Sequence, residues 1–430
     1  MALDILHRVI EMQSATCRAI AAQVFDRLRE ASRDGEGVNR EAFGPRESIA
    51  LDIVEAVARS LDLKTERDSG ANLVITLEGS SPHLPYLACG SHLDSVPQGG
   101  NFDGAAGVVA GLIALASLRH ERVELCRSLK LFALRGEESS RFGRAYLGSS
   151  ALLGLLTAAD LNAAAADSGR SLADCMADVG VDVDRVRHGI PLLDLEKMGG
   201  WLELHIEQGP VLAAKKFPIG IVTGIRGNFR HRVVECIGEA GHSGAVPREL
   251  RHDAIFATAE LITRLDRHWR KFLERGHDLV VTSGVFGTDP HEHAIARIPG
   301  AVRFSFEARS QSRTTLEDYY GRFQTECEVI EKQCGVRFSF DRRIEIAPAN
   351  MDQTWINRLH RIATELNIPF QDMASGAGHD AAIFANAGIS TAMIFVRNEN
   401  GSHNPREAMD IGDMISGALL MRQALQEAAS

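Results

Sequence analysis

One stretch constrains this chain more than any other. Leu84 to Cys89 is a short apolar run, bounded by proline before and glycine after, which predicts a buried strand. It runs into Gly90-Ser91-His92-Leu93-Asp94, then into the loop Gly99-Gly100-Asn101-Phe102-Asp103-Gly104, and residues 107–118 have helical composition and periodicity. Strand, glycine-rich loop and helix make half of a βαβ unit, and in an open α/β sheet ligands gather where such strands end. His92, Asp94 and Asp103 therefore fall at one strand edge. An imidazole with two carboxylates suggests a metal, because carboxylates add harder anionic ligands that can bridge two ions. Asp94 can also hydrogen-bond the far nitrogen of His92 and fix its tautomer. A lone H-x-D is as readily a solvated turn, so the rest of the chain must decide.

Leu129 to Leu134 predicts a second strand, ending at Arg135-Gly136-Glu137-Glu138. Alternation along an extended segment turns neighbouring side chains opposite ways, so one glutamate can bind an ion while the other takes a proton from the attacking water. The segment Trp201-Leu202-Glu203-Leu204-His205-Ile206-Glu207-Gln208-Gly209-Pro210 alternates as a strand and ends in a polar cluster. Near the C-terminus two further histidines follow regular elements, His379 in Ser375-Gly376-Ala377-Gly378-His379-Asp380 and His403 in Gly401-Ser402-His403-Asn404-Pro405-Arg406-Glu407. Either could complete a ligand set.

A chain of 430 residues exceeds one ordinary core and predicts two domains. From about residue 213 the pattern changes: strands at Ile219–Val222, Arg230–Ile237, Leu279–Phe286 and Ala301–Ala308 flank one long amphipathic helix, about Asp253 to Glu274. The pattern reads as an α+β domain at 213–329 inserted into one built from 1–212 and 330–430. Residues 157–190 have helical character without visible chemistry. A net charge of -10 opposes nucleic acid or an anionic membrane as partner. No apolar run is long enough to span a bilayer, no basic segment with an apolar stretch opens the chain, and seven scattered cysteines fit reduced thiols, so a cytoplasmic protein is expected.

The ordered set H-x-D, D-G, E-E, H-x-E-Q-G and S-H-x-P-x-E strongly resembles the hydantoinase/carbamoylase amidases of the M20 metallopeptidase superfamily, and the resemblance spans nearly the whole chain. That group includes N-carbamoyl-L-amino acid amidohydrolases, allantoate amidohydrolases and β-ureidopropionases. The resemblance implies an α/β catalytic domain of zinc-exopeptidase type, with a mixed central sheet and helices on both faces, plus an inserted α+β lid and dimerisation domain. It implies two divalent ions per subunit, zinc foremost, with manganese, cobalt or nickel as alternatives. His92, Asp103 and His205 would hold one, and Asp103, Glu138 and His403 the other, with Asp103 bridging. Glu137 would be the general base and later the acid, and Asp94 would orient His92. His379 is then no ligand; its loop lines the pocket, with the backbone of Gly378 near the substrate.

By the same resemblance Gln208 and His242 surround the scissile amide, and Arg309, in Glu307-Ala308-Arg309, grips a substrate carboxylate. Since the lid implies a homodimer, His242 could serve its own site or its partner's. The implied reaction is hydrolysis of the linear C–N bond of an N-carbamoyl amino acid or a related ureido acid such as allantoate. The rivals are an N-acyl-amino acid hydrolase or dipeptidase of the same superfamily and, from another class, a binding protein that has lost catalysis. Departures fall at specificity positions. Ala296-Arg297-Ile298-Pro299 stands where Asn-x-x-Pro is usual, so either His291, His293 or Arg297 replaces the asparagine or the substrate lacks the group it would bind. Ala245-Val246 replaces Thr-Thr, and Arg397-Asn398-Glu399-Asn400 replaces a small, Gly-rich run before His403.

Overall fold

The apolar runs that end in polar clusters become neighbouring strands of one sheet. The computed structural model describes residues 2–430, with side chains from Ala15 onward; Met1 lies outside the described residues. The chain divides into two units, Met1–Thr223 with Met351–Ser430, and Gly224–Asn350. The first begins with α1 (Ala2–Ala31), α2 (Pro45–Ser60), β1 (Lys64–Arg67), β2 (Leu73–Leu77), β3 (Tyr86–His92), α3 (Ala105–His120), β4 (Leu129–Leu134), α4 (Leu147–Leu152), β5 (Met198–Ile206) and β6 (Ile219–Ile225). The second unit holds β7 (Gly227–Ile237), α5 (Ala254–Glu274), β8 (Val280–Thr282), β9 (Ala301–Ser310), α6 (Arg313–Cys334), β10 (Arg337–Phe340) and β11 (Ile344–Ile346). The chain then completes the first unit with α7 (Gln353–Glu365), β12 (Phe370–Ser375), α8 (Asp380–Asn386), β13 (Thr391–Val396) and α9 (Ile411–Ala429).

The mixed central sheet runs β6-β13-β5-β3-β4-β2-β1, with β12 also pairing β6. Its inner strands β13, β5, β3 and β4 are parallel, in a register that sets Phe395 beside His205 and Cys89 beside both Leu202 and Leu131. Strands β6, β2 and β1 are antiparallel additions. Helices cover both faces, which is why β3 and β13 read as unbroken apolar runs rather than alternating ones. On one face α3 and α9 close on Leu204; on the other, Phe384 of α8 stacks on Trp201 with ring centroids 4.3 Å apart. Almost every residue of α3 is buried, and Gly107 lets it dock: a Cβ there would lie 2.0 Å from the carbonyl oxygen of Leu204.

In the second unit an antiparallel sheet, β8-β9-β7-β10 with β11 also on β7, packs under α5 and α6. Phe229, Phe304, Phe306 and Ala308 point into that core with Leu261, Tyr319 and Phe323.

Several expectations need correction. The second unit spans 224–350 rather than 213–329. Residues 219–222 pair antiparallel with β13 and so belong to the central sheet, while β10 and β11 both pair β7 and keep residues past 330 in the second unit. A second long helix, α6, was not anticipated, although Leu316, Tyr319, Phe323, Cys327 and Ile330 carry its buried stripe. The strand expected at Leu279–Phe286 is broken into Val280–Thr282 and Phe286–Gly287, whereas residues 157–190 are helical as expected, in three short helices. Among the described residues no helix is long and apolar enough to cross a membrane.

Replacing Gly107 with alanine should force α3 away from the sheet and lower stability by about 1–3 kcal/mol, the usual cost of overpacking. A fall in the melting temperature of metal-free protein is expected; an unchanged one would mean that α3 shifts freely.

Candidate active site and metal centre

Parallel strands put their carboxyl ends on one edge. The chain leaves β3 on one side for β4 and returns on its other side for β5, so the order reverses between β3 and β5, where open α/β sheets bind ligands. The ends of β3, β4, β5 and β13 deliver His92, Glu137 and Glu138, His205, and the loop carrying His403 to this edge.

Three groups of side chains there have ligand atoms close enough to share an ion: His92, Asp103 and His205; His92, Glu137 and Glu138; Asp103, Glu138 and His403. In the first, the Nε2 atoms of His92 and His205 are 3.4 Å apart and lie 3.5 and 3.2 Å from Asp103 Oδ1. The opposite nitrogens are already engaged. His92 Nδ1 faces the carboxylate and the carbonyl of Asp94, each at 3.2 Å, and His205 Nδ1 donates to the Ile206 carbonyl at 2.9 Å. With the hydrogen on Nδ1, each ring turns its Nε2 inward as an acceptor. Asp103 Oδ1 is buried with no hydrogen-bond donor among the described residues. Three acceptors facing one another fit a divalent cation. Gly104 shapes this corner: its φ is +65°, its amide lies 3.2 Å from His205 Nε2, and a Cβ would come within 2.5 Å of the His92 ring.

The second group lies on the other oxygen of Asp103. His403 Nε2 is 3.1 Å from Glu138 and 3.5 Å from Asp103 Oδ2. That oxygen also accepts from Gln208 Nε2 at 2.7 Å and meets the hydroxyl of Ser402. Asp94 serves twice, since its two oxygens accept the amides of Glu137 and Glu138, each at 2.9 Å. One buried carboxylate thus orients the His92 ring and the peptide that carries both glutamates. Glu137 Oε2 stands 4.0 Å from His92 Nε2. Behind this peptide, Glu47 accepts from the amide of Gly136 at 2.9 Å and pairs with Arg135 at 2.5 Å.

The electrostatics follow from burial and crowding. Burial, with Glu138, Asp380 and Asp94 nearby, pushes the Glu137 carboxyl well above the usual range against the pull of His92. Burial would also raise Asp103, but the two imidazoles hold it well below its ordinary value. His92 and His205 are raised despite burial, chiefly by Asp103, and His403 is raised to about 9 by Glu138.

His379 joins none of the three groups. Its buried ring packs 4.4 Å from that of His205, its Nε2 is 3.0 Å from the Ser375 hydroxyl, and burial with His205 pushes its pKa well down. Gly378 has no room for a side chain because the hydroxyl of Tyr146 fills the space. His242 and Arg309 belong to the second unit. His242 sits opposite Arg297 in a short two-stranded ladder, where the carbonyl of Ala296 accepts the amide of Ser243 at 2.8 Å. Arg309 is paired with Glu307 at 3.1 Å, which Arg230 shares at 2.9 Å. Of the proposed replacements for the missing asparagine, Arg297 is paired with Glu292 at 3.0 Å and His293 meets Thr288 at 2.7 Å.

Sequence reasoning passed over Glu47, Ser402, Glu407 and the fully buried Arg40, whose Nε donates to the Leu93 carbonyl at 2.6 Å. They act on backbone groups or on other side chains' positions, so they give no motif. Only the S-H-x-P-x-E pattern pointed towards two of them.

The family model that matches residues 88–427 is that of peptidase family M20/M25/M40. The chain is 32% identical over 416 residues to the N-carbamoyl-L-amino acid amidohydrolase of Geobacillus stearothermophilus, covering 95% of this chain and 98% of that one. It is 30% identical over 368 residues to the allantoate amidohydrolase of Escherichia coli strain K12, covering 85% and 87%. Among solved structures, a hydantoinase/carbamoylase family amidase from Burkholderia multivorans superposes with a TM-score of 0.84 at 25% identity, over 96% of this chain and 98% of that one.

Protons and metal should compete for this cage. His403 has its pKa raised to about 9, so in metal-free protein at pH 7 it holds a proton that ligation must displace. Zinc affinity should therefore rise as pH climbs towards about 9 and fall on acidification. Calorimetry in buffers of different ionisation enthalpy should record proton release at pH 7, and binding without it would contradict the arrangement.

Proposed function

The chain belongs to peptidase family M20/M25/M40, and from that premise we propose that it is a metal-dependent amidohydrolase cleaving the linear ureido C–N bond of an N-carbamoyl-L-amino acid or a related ureido acid such as allantoate. One observation carries the reading: Asp103 Oδ1, buried without a hydrogen-bond donor among the described residues, faces the Nε2 atoms of His92 and His205, with Glu137 beside them. His92, Asp103 and His205 would hold one divalent ion, and Asp103, Glu138 and His403 a second, with Asp103 shared. Zinc suits this set best, with manganese, cobalt or nickel as alternatives. When bound, such ions supply Lewis acidity at the carbonyl oxygen and lower the pKa of water towards about 7.

The rest of the chemistry belongs to the chain. Glu137 takes the proton of the attacking water and returns it to the leaving nitrogen. Asp94 keeps His92 and the Glu137 peptide in register. Gln208, whose Oε1 is buried without a partner, and the backbone of Gly378 position the substrate amide. Arg309 takes the substrate carboxylate in competition with Glu307. His242 stabilises the charge developing on the carbonyl oxygen, in its own subunit or its partner's. In this reading residues 224–350 act as lid and homodimer interface. The seven free cysteines support a reducing, cytoplasmic setting, and the acidic charge opposes nucleic acid and membrane as partners.

Alanine at 296 favours a second reading, hydrolysis of N-acyl amino acids or dipeptides, because the residue there cannot hydrogen-bond through its side chain. Comparing ammonia release from ureido acids with amine release from N-acyl amino acids separates the two. Faster turnover of ureido acids is expected; the reverse order would establish the second reading. Glu137→Gln should keep its metal and lose about 10²- to 10⁴-fold in kcat, and full activity in that variant would refute the role of Glu137.

A further inference from the structure

The last residue of Ser402-His403-Asn404-Pro405-Arg406-Glu407 has so far no role. Glu407 is only 6% exposed. Its Oε1 accepts the amides of Phe102, at 2.8 Å, and Asp103, at 3.2 Å. Its Oε2 accepts the Ser402 hydroxyl at 2.6 Å, and that same hydroxyl meets Asp103 Oδ2. Gly100 makes the room: a Cβ there would lie 2.1 Å from the carboxyl carbon of Glu407. The amide of Glu407 donates to the Asn404 carbonyl at 3.2 Å and closes the turn after His403. One side chain thus grips both the loop that carries Asp103 and the loop that carries His403.

The other ligands are held by other means. Asp94 holds His92 and the Glu138 amide, and the Ile206 carbonyl holds His205. His403 depends most on its turn, because its φ is +59° and its side chain is 51% exposed, against 7% or less for Asp103 and Glu138.

We propose that Glu407 is a positioning residue that sets the separation between Asp103 and His403, and so forms the seat of the second ion while leaving that of the first largely intact. The inference rests on the reading above that the two groups bind ions. A carboxylate accepting two backbone amides and a hydroxyl fixes those partners in direction as well as distance, and outer partners of this kind typically govern metal affinity by about 10- to 100-fold.

The test is a zinc titration of the full-length, metal-free protein against a competing chelator, followed by calorimetry. Wild type should bind two ions. Glu407→Ala should bind the first nearly as tightly and the second about 10- to 100-fold more weakly, and Glu407→Gln, which retains one acceptor oxygen, should lose less. Ser402→Ala removes only the linking hydroxyl and should repeat the selective loss in milder form, which keeps the test open if Glu407→Ala folds poorly. Cobalt spectra taken at one and two equivalents should change only in the second step. Glu407→Ala and Ser402→Ala that hold both ions as wild type does, or that weaken both alike, would overturn the inference alone. A wild type that binds fewer than two ions would overturn the two-ion reading and this inference with it.

Discussion

Buried carboxylates crowd one another and two imidazoles at one sheet edge, and the first unit is built to hold them there. Asp103, Glu137, Glu138, His92 and His205 are all buried, and the only side chain of the group well exposed is His403. Left alone, such a set would spread apart or take up protons. It is restrained by backbone amides: those of Glu137 and Glu138 on Asp94, those of Phe102 and Asp103 on Glu407, and that of Gly136 on Glu47. The buried guanidinium of Arg40 adds a fixed positive charge that Glu407, Asp94, Asp103 and Glu138 all feel, while burial pulls its pKa down. A cage held open in this way would suit a divalent cation.

The sheet supplies the second half of the constraint. Four parallel strands end on the same edge, so residues 92 and 403, far apart in the chain, arrive together without any long loop folding over the sheet. The close seat of α3, set by Gly107 against Leu204, leads directly into the glycine-rich turn at Asp103. Packing and chemistry therefore meet at one turn, and a shift in α3 would be felt at the shared carboxylate.

Much of this was legible in the sequence, for physical reasons. His92, Glu137, Glu138, His205 and His403 follow or end apolar runs whose composition marks buried strands, so strand ends and chemistry were visible together. Spacing alone left open the choice between His379 and His403; in the structure His403 lies beside Asp103 and Glu138, whereas His379 packs against His205. Other parts left no local mark. Strand β6 looked like the start of the inserted unit because nothing in residues 219–225 shows that they pair with β13, a partner some 170 positions away. Helix α6 was missed because Gly321 and many charged residues crowd its outer face, which dilutes an intact buried stripe in the sequence. Glu407, Glu47 and Arg40 act on backbone amides or carbonyls, and a carboxylate or guanidinium in that role looks in sequence like any surface charge.

The most direct measurement is the zinc content of dialysed protein, wild type against Asp103→Ala. Asp103 presents one oxygen to each ligand group, so two ions per chain are expected in the wild type and loss of both in the variant at the same free zinc concentration. A wild type without stoichiometric metal, or an Asp103→Ala protein that retains both ions, would contradict a shared carboxylate at the centre of the site.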